Sequence, residues 1–571
     1  MRKALNTTKG QGLRPIWRSR KLLRAQSRKA GVPTIVRKYV FVTGGVLSGL
    51  GKGVISSSIG LLLKLQGYRV SLQKIDPYVN VDAGTMNPYE HGEVFVTRDG
   101  KETDLDIGRY ERFLDEELTA SNYLTTGQVY WNVIRKERSG QYLGQTVQII
   151  PHITDEIKRL IRLPVEENDA EVGVIEIGGT VGDIESLPFL EALRQLKDEL
   201  PREDTFFVHV TLLPRLSTSD ELKTKPTQHS VKELRAIGIQ PNVIVARCDQ
   251  PLPEPVKRKI ALFCDVELKN VIEDPDLLSI YHAPMEMSKN ELHHRVTEGL
   301  ALKRQDVPLD KWVARIQRIE QPKHRVRVGI VGKYVELRDA YISISEALFH
   351  AGACEDIRAD IAWIAAEDLD SGNVAEQLAE LDGILIPGGF GHRGVEGKLE
   401  AVEYARMTNT PYFGLCLGLQ CAVIEFARNV LGWKDANTTE NDPDTAHPVI
   451  ALLQDQIQIT QKGGTMRLGV YESALIAGSI SRTCYDSDTI AERHRHRYEF
   501  NASYREALEA AGLKVAGTSA EGRLVEIVEL EGHPWFVAVQ FHPEFTSRFM
   551  SPHPLFRGFI CACLDRQSSA S

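Results

Sequence analysis

An apolar run, Tyr39-Val-Phe-Val-Thr43, leads straight into a glycine-rich stretch, Gly44-Gly-Val-Leu-Ser-Gly-Leu-Gly-Lys-Gly53. Ile55–Leu65 then carries apolar residues at helical spacing and stops near Gly67, and Tyr68–Lys74 is again strand-like. A hydrophobic period that switches from strand to helix and back, with glycines at the first junction, fits parallel strands joined by a crossover helix. Further strands are predicted at Val172–Ile177, Thr205–Leu213 and Asn242–Arg247. Residues 303–325 are charged, proline-bearing and weakly periodic, and read as a linker. A second α/β alternation starts at Val326–Val331 and continues with strands at Gly383–Ile386, Tyr412–Leu415 and Trp535–Gln540. The sequence therefore predicts an α/β protein in four parts: an extension over 1–34, a first domain over 35–302, a linker over 303–325 and a second domain over 326–571.

Composition narrows the class. With 42% hydrophobic and 26% charged residues the chain is a globular mixture, which excludes fibrous and wholly disordered readings. No stretch approaches the roughly 18 consecutive apolar residues of a transmembrane helix, so no membrane partner is expected. The net charge of −8 is unevenly spread. Residues 1–38 hold twelve of the 69 lysines and arginines and no acidic residue, leaving 57 basic against 77 acidic residues, or −20, in the rest. An acidic body of that size argues against general nucleic-acid binding, and phosphates must be held in local basic pockets. The tail lacks an apolar period and reads as disordered. It is taken first as a mispredicted start upstream of the true one, and otherwise as an arginine-rich transit-like segment or a flexible arm. Eight cysteines without a Cys-x-x-Cys pair argue against a zinc site or a disulfide framework and suit a reducing intracellular compartment.

The glycine-rich loop joins a strand to a helix, where backbone N–H groups and the helix N-terminus can hold a phosphate and Lys52 adds a positive charge. It departs from the standard pattern. Five residues separate Gly45 from Gly51 where four are expected, and Gly53 stands where a Ser or Thr normally holds magnesium. A purely structural glycine turn is the alternative. A magnesium ion would then need carboxylates from elsewhere. Asp106, in Thr103-Asp-Leu-Asp106, and Glu176, near the end of Val172–Ile177, stand where strands give way to loops. Each alone reads as a solvated loop carboxylate, and their combination with Lys52 makes them metal candidates. Lys223-Thr-Lys-Pro-Thr-Gln228 offers two lysines, hydroxyls and an amide for a second phosphate group, although such runs are commonly solvated surface.

A different chemistry stands in the second half. Tyr412-Phe-Gly-Leu-Cys-Leu-Gly-Leu-Gln420 places Cys416 between a short apolar strand and a helical pattern, flanked by Gly414 and Gly418. Small residues permit the tight turn that puts a nucleophile at its tip. Gln540-Phe-His-Pro-Glu-Phe545 offers His542 as base and Glu544, two residues on, to orient it; in an extended segment the two share a side. Pro387-Gly-Gly-Phe-Gly391 follows another strand, and its N–H groups suit an oxyanion hole. Alone, Cys416 reads as a core cysteine and His542 as a surface histidine; the chain order and α/β setting favour the catalytic reading.

From about residue 35 the chain resembles the CTP synthase family. The resemblance is carried by Gly44–Gly53, Lys74-Ile-Asp-Pro-Tyr78, Gly178-Gly-Thr-Val-Gly-Asp-Ile-Glu-Ser186, Lys223–Ser230 and Glu492-Arg-His-Arg-His-Arg-Tyr-Glu499. It implies a dethiobiotin-synthetase-like P-loop domain followed by a class I glutamine amidotransferase domain. It also implies ATP- and magnesium-dependent phosphorylation of UTP at O4, displacement of that phosphate by ammonia from glutamine, and an enclosed passage between the sites. Carried onto this sequence, Gly49, Leu50, Gly51, Lys52, Gly53 and Val54 hold ATP, with Lys74 and Asp106 beside its phosphates, and Asp106 and Glu176 hold magnesium. Ser48, Asp183, Ile184, Glu185, Lys223, Thr224, Lys225, Pro226, Thr227, Gln228 and Lys259 line the site for UTP and for CTP, the product inhibitor. Cys416, His542 and Glu544 are catalytic. Gly389, Leu417, Gly418, Leu419, Gln420, Glu440 and Arg497 bind L-glutamine. Arg393 answers to activation by GTP, and Pro88, His91 and Val94 lie near the passage, His91 reading equally well as a packed polar residue.

The family further implies a cytoplasmic homo-oligomer, usually a tetramer. The sequence departs from the family at Leu337-Arg338-Asp339, where the family shows Leu-Pro-Asp, and over Met285–Asp310. Two rival readings are another ATP-dependent amidotransferase ligase, which would lack the Lys223–Ser230 segment, and a catalytically silent filament or regulatory protein, which would have no use for Lys52, Cys416, His542 and Glu544 together.

Overall fold

Lys38–Gly44, the strand before the glycine-rich loop, is buried along its whole length and pairs in parallel with Val172–Ile177 on one side and Thr205–Leu212 on the other. These features come from a computed structural model of the protein, which describes residues 36–216, 221–452 and 466–570. The expected disordered tail over 1–34 lies outside the described residues. Outward lie Val70–Asp76 and Tyr123–Thr125 on one side, and Val243–Cys248 and Val271–Pro275 on the other, all parallel. Burial on both faces makes these strands read as continuous apolar runs rather than alternating ones. After Val172–Ile177 the chain crosses to the far side of the central strand, which opens a crevice at the strands' carboxyl ends.

The helix after the loop spans Lys52–Leu65 and begins earlier than the apolar spacing predicts, because Gly51, at φ 91°, turns the loop directly into it. Ile55, Ile59, Leu62 and Leu63 are fully buried against the sheet, each stabilising the fold by about 1.5–3 kcal/mol. The Tyr68 N–H bonds back to the Leu63 carbonyl at 3.1 Å, so Tyr68 closes the helix and the next strand starts only at Val70.

A second sheet of nine strands has a parallel half and an antiparallel half. Its parallel half runs Ile357–Ala365, His324–Gly332, Gly383–Ile386, Tyr412–Leu415, Phe536–Val539, which places Tyr412–Leu415 near the middle. Val525–Leu530, Leu513–Ser519, Arg467–Leu475 and Thr489–His496 follow as antiparallel strands. Within the stretch read as a linker, Asp310–Glu320 is helical. Trp312 and Ile316, one turn apart, are its buried residues, and the Trp312 indole N–H donates to the Tyr281 carbonyl at 2.8 Å. Tyr281 also stacks on Phe549 at 4.3 Å, so residues far apart in sequence close one aromatic cluster.

The residues that follow the first sheet's second strand pack directly on the second sheet. Arg493 is fully buried, with Glu111 at 3.0 Å, Glu117 at 3.2 Å and the Val96 carbonyl at 3.0 Å. Arg495 reaches Glu102 at 2.9 Å, Arg548 pairs with Glu111, and Phe95 meets Phe545 edge to face at 5.1 Å. Losing one member of such a buried pair costs about 3–5 kcal/mol, so these contacts fix the register between the two halves of the sites described next.

Candidate active site

At the carboxyl ends of the first sheet's strands, Lys74 is encircled by acids. Its ammonium pairs with Asp106 and lies 3.5 Å from Asp76, 3.6 Å from Glu176 and 3.9 Å from Asp104. Burial opposes its charge, but the four carboxylates outweigh it and hold the lysine well above its ordinary range. Burial likewise works against Asp106, yet Lys74 and Arg109 hold it below the usual carboxylate range. Glu176 goes the other way, raised chiefly by burial, and its carboxylate accepts from the Tyr110 hydroxyl. Burial also raises Asp104, to about 8, with Lys74 opposing and Asp106 adding to it. Lys52 is buried and donates to the Gly179 carbonyl at 2.9 Å; burial lowers its proton affinity, with Lys74 adding to the effect and Glu176 countering it.

The glycine at position 53 has a steric explanation. A β-carbon on Gly53 would stand 2.8 Å from Asp106 Oδ1 and closer still to the Arg109 guanidinium. The place of the usual hydroxyl is thus taken by a carboxylate from another segment. A β-carbon on Gly45 would run into the Ser230 hydroxyl, which ties the helix Lys225–Ala236 to the loop.

Two carboxylates, Asp106 and Glu176, therefore converge with Lys52 and Lys74. Their hard oxygen donors fit a magnesium ion. Among the described residues no three His, Cys, Asp or Glu side chains form a metal cluster. Magnesium commonly takes only one or two protein carboxylates and fills its shell with phosphate oxygens and water.

The expected uridine-site residues lie on loops and on two helices, Lys225–Ala236 and Glu254–Cys264. Ser48, Asp183, Ile184 and Glu185 are exposed, and the Asp183 carboxylate accepts from the Thr180 N–H at 3.0 Å. Val181 N–H donates to the Gly44 carbonyl at 2.8 Å, which binds that loop to the phosphate loop. Lys223 pairs with Glu221 at 2.6 Å, and Lys259, exposed on a neighbouring helix, adds to the pull that lowers Glu221 after Lys223. Thr224 accepts from Gln228 at 3.0 Å. Lys225 is exposed with its ammonium over the Phe263 ring, and Pro226 opens the helix. Thr227 is buried, and its hydroxyl donates to the Leu212 carbonyl at 3.2 Å.

Cys416 closes the strand Tyr412–Leu415 and caps the helix Leu417–Asn429 at φ 51°, ψ −96°. A non-glycine residue held at positive φ stores about 1–3 kcal/mol of strain, a cost met by the packing around it. That packing is close: a β-carbon on Gly418 would strike the Ile386 carbonyl, and one on Gly414 would stand 2.8 Å from the Gly418 backbone. His542 Nδ1–H donates to Glu544 Oε1 at 2.7 Å, while its Nε2 has no hydrogen-bond partner among the described residues. Pro543–Phe545 is a 3₁₀ turn, not the extended segment the spacing predicts, because Pro543 fixes its first φ at a helical value. The turn brings the same two groups together. Burial opposes a charge on His542, but Glu544 and then Cys416 prevail and push the imidazole up to about 10. Gly388 approaches both residues: its β-carbon would lie 2.8 Å from His542 Cε1 and 3.6 Å from Cys416 Cβ.

The loop behind Gly388 is held from two sides. Gly391 N–H donates to Glu440 at 2.9 Å, and the Lys333 ammonium donates to the carbonyls of Phe390, at 2.8 Å, and Gly391. Leu417, Gly418, Leu419 and Gln420 are buried, and Gln420 donates to the Tyr498 carbonyl at 3.0 Å. Gly389 lies beside Leu417, and Arg497 is half-buried. Arg393 is exposed, pairs with Glu367 at 2.7 Å and reaches the Tyr89 hydroxyl at 3.3 Å.

A cavity of about 220 Å³ beside Cys416 is lined by residues of both domains. Cys416, His542 and Glu544 line one part of it, and Pro88, Glu93 and Val94 another. His91 does not line it; its half-exposed ring leans on Tyr78 at 6.0 Å. Sequence reasoning missed Glu93, Arg495 and Lys333. Glu93 lies between two expected positions, and Lys333 sits in Val-Gly-Lys-Tyr, but their partners are distant in the chain and leave no local signal.

A strained cysteine with an imidazole–carboxylate pair, joined to a parallel-sheet domain with a phosphate-type loop, defines a glutamine amidotransferase coupled to a ligase domain. The family model described as CTP synthase N-terminus matches residues 38–302, and that described as glutamine amidotransferase class-I matches residues 336–562. The chain belongs to the CTP synthase family. A protein named CTP synthase from Carboxydothermus hydrogenoformans is 57% identical over 92% of this chain and 98% of its own length. Another of that name, from Caldanaerobacter subterraneus, is 56% identical over the same shares. A solved glutaminase domain of Trypanosoma brucei CTPS with bound acivicin is 39% identical, covering 42% of this chain and 94% of that one at a TM-score of 0.40.

Proposed function

We propose that the chain makes CTP from UTP, ATP and L-glutamine. The thiol of Cys416 attacks the glutamine amide carbonyl, and the oxyanion is met by N–H groups of the Gly388–Phe390 loop. His542, held by Glu544, gives a proton to the departing nitrogen, which leaves as ammonia, and then assists water in cleaving the thioester. Gly389, Leu417–Gln420, Glu440 and Arg497 position the glutamine.

In the first domain, Gly49–Val54, Lys52 and Lys74 hold the ATP phosphates. Asp106 and Glu176 would hold magnesium, which when bound neutralises phosphate charge and polarises the transferred group. Ser48, Asp183–Glu185, Lys223–Gln228 and Lys259 hold UTP and, in competition, CTP. Phosphorylation of O4 turns a poor leaving oxygen into a good one, and ammonia displaces it. Arg393 takes part in activation by GTP. Pro88, Val94 and, from its neighbouring position, His91 flank the ammonia route. The enzyme is taken to be a cytoplasmic homotetramer; no described helix is long and apolar enough to cross a membrane.

The observation that carries this reading is the cavity lined by Cys416 and His542 together with Pro88 and Val94, which sets a glutaminase beside a phosphate-loop domain. The test is CTP formation from UTP and ATP with either glutamine or ammonia. ATP turnover that ignores UTP but needs another acceptor would overturn it.

A further inference from the structure

The cavity beside Cys416 contains one acidic side chain that the reaction outlined above does not use. Glu93 lines it together with Cys416, His542, Glu544 and Arg495. The backbone places it firmly. Gly92, at φ 76°, passes so close to Asp339 that a β-carbon there would lie 3.3 Å from the Asp339 β-carbon, and the Glu93 N–H donates to the Asp339 carbonyl at 3.0 Å. Its Oε2 accepts from the Ser343 hydroxyl, which in turn accepts from Arg112 at 3.2 Å. Ser343 thus holds the carboxyl on one side, while the Glu93 side chain lines the cavity.

We infer that Glu93 is a proton-accepting group on the path of ammonia, taking a proton from any ammonium that forms in the cavity so that nitrogen moves on as nucleophilic NH3. The inference rests on the amination reading above. Ammonia leaves Cys416 with its lone pair, but contact with water or with the charged His542 protonates it, and ammonium cannot attack an activated carbonyl carbon. An N–H bond of the ammonium breaks, its electron pair stays on nitrogen, and the proton bonds to the Glu93 carboxylate; the acid formed returns the proton to solvent water. An ordinary glutamic acid, near 4.3, would be far too weak a base for this. Here burial foremost, with Glu544 adding and Ser343 and Arg112 opposing, pushes the carboxyl up to about 8. A donor and acceptor of matched proton affinity exchange protons most effectively. Arg495, His542 and Glu544 also line the cavity, the first two opposite in charge to the ionised carboxylate and the last of like charge.

Glu93→Gln keeps the shape and the capacity to accept from Ser343 but cannot take up a proton. Three quantities are measured on the intact enzyme: glutamate released, CTP made from glutamine, and CTP made from ammonia added at alkaline pH. The expected result is near-normal glutamate release and ammonia-dependent synthesis. CTP per glutamate should fall at least about fivefold near pH 8, where about half of the Glu93 carboxyl is ionised and can take a proton, and recover at more alkaline pH, where ammonia needs no base. An unchanged ratio near pH 8, or a loss equal at every pH, would overturn the inference. Failure of the unaltered enzyme to make CTP from glutamine would instead overturn the amination reading. If Glu93→Gln does not fold, Ser343→Ala serves: loss of its hydrogen bond raises the proton affinity of Glu93 and should move the pH dependence of the ratio to more alkaline values, and an unmoved profile counts against the inference.

Discussion

Asp106 occupies the space that a side chain on residue 53 would need: a β-carbon there would stand 2.8 Å from its Oδ1. The glycine at this point of the phosphate loop is therefore a condition for the carboxylate's position. Gly53→Ser, which would restore the hydroxyl of the standard loop, is expected to impair the enzyme. CTP synthesis from glutamine and from ammonia should both fall about a hundredfold, as displaced catalytic groups do, while glutamine hydrolysis persists. A Gly53→Ser enzyme with normal ammonia-dependent kcat would refute this.

Glu544 sits 2.7 Å from His542 Nδ1 and is the principal group that raises the imidazole against the effect of burial. Glu544→Gln should lower kcat for glutamine hydrolysis by about 10³–10⁴, since the amide neither fixes the ring's tautomer nor stabilises its charged form. Synthesis from added ammonia should be unaffected. Steady-state assays with both nitrogen donors check the two halves of the prediction in one preparation.

Lys398 is fully buried, its ammonium has no hydrogen-bond partner among the described residues, and burial lowers it to about 7. An unfolded lysine, near 10.4, holds its proton over that whole interval, so unfolding takes up a proton and stability rises with pH between those values. The cost of burying the charge is thus fully present below pH 7 and gone above about 10. Lys398→Met, of similar volume, should raise the thermal midpoint most at about pH 6, by the equivalent of roughly 4 kcal/mol, and little at about pH 10. Equal gains at both pH values would show that packing, not charge, is responsible.

The fold was legible where burial is two-sided. Val172–Ile177, Gly383–Ile386 and Tyr412–Leu415 have the predicted limits because strands covered on both faces are apolar along most of their length and end abruptly. The helix Asp310–Glu320 was hidden because two buried residues, Trp312 and Ile316, carry it among charged neighbours. At the sites, groups close in sequence were visible: Cys416 with its glycines, and His542 with Glu544. The acids around Lys74 were only half visible. Asp106 and Glu176 announced themselves at strand ends, whereas the encirclement by Asp76 and Asp104 exists only once strands and loop converge. Glu93 needed the packing of Ser343 against it, 250 residues away in the chain, before its environment could be read.

The central claim is that two separate centres share one nitrogen. Cys416→Ala and Lys52→Ala, each assayed with glutamine and with ammonia, test it most directly. The account predicts that Cys416→Ala makes no CTP from glutamine yet makes it normally from ammonia, and that Lys52→Ala makes none from either. A folded Cys416→Ala enzyme inactive with both donors, or a Lys52→Ala enzyme active with ammonia, would contradict it.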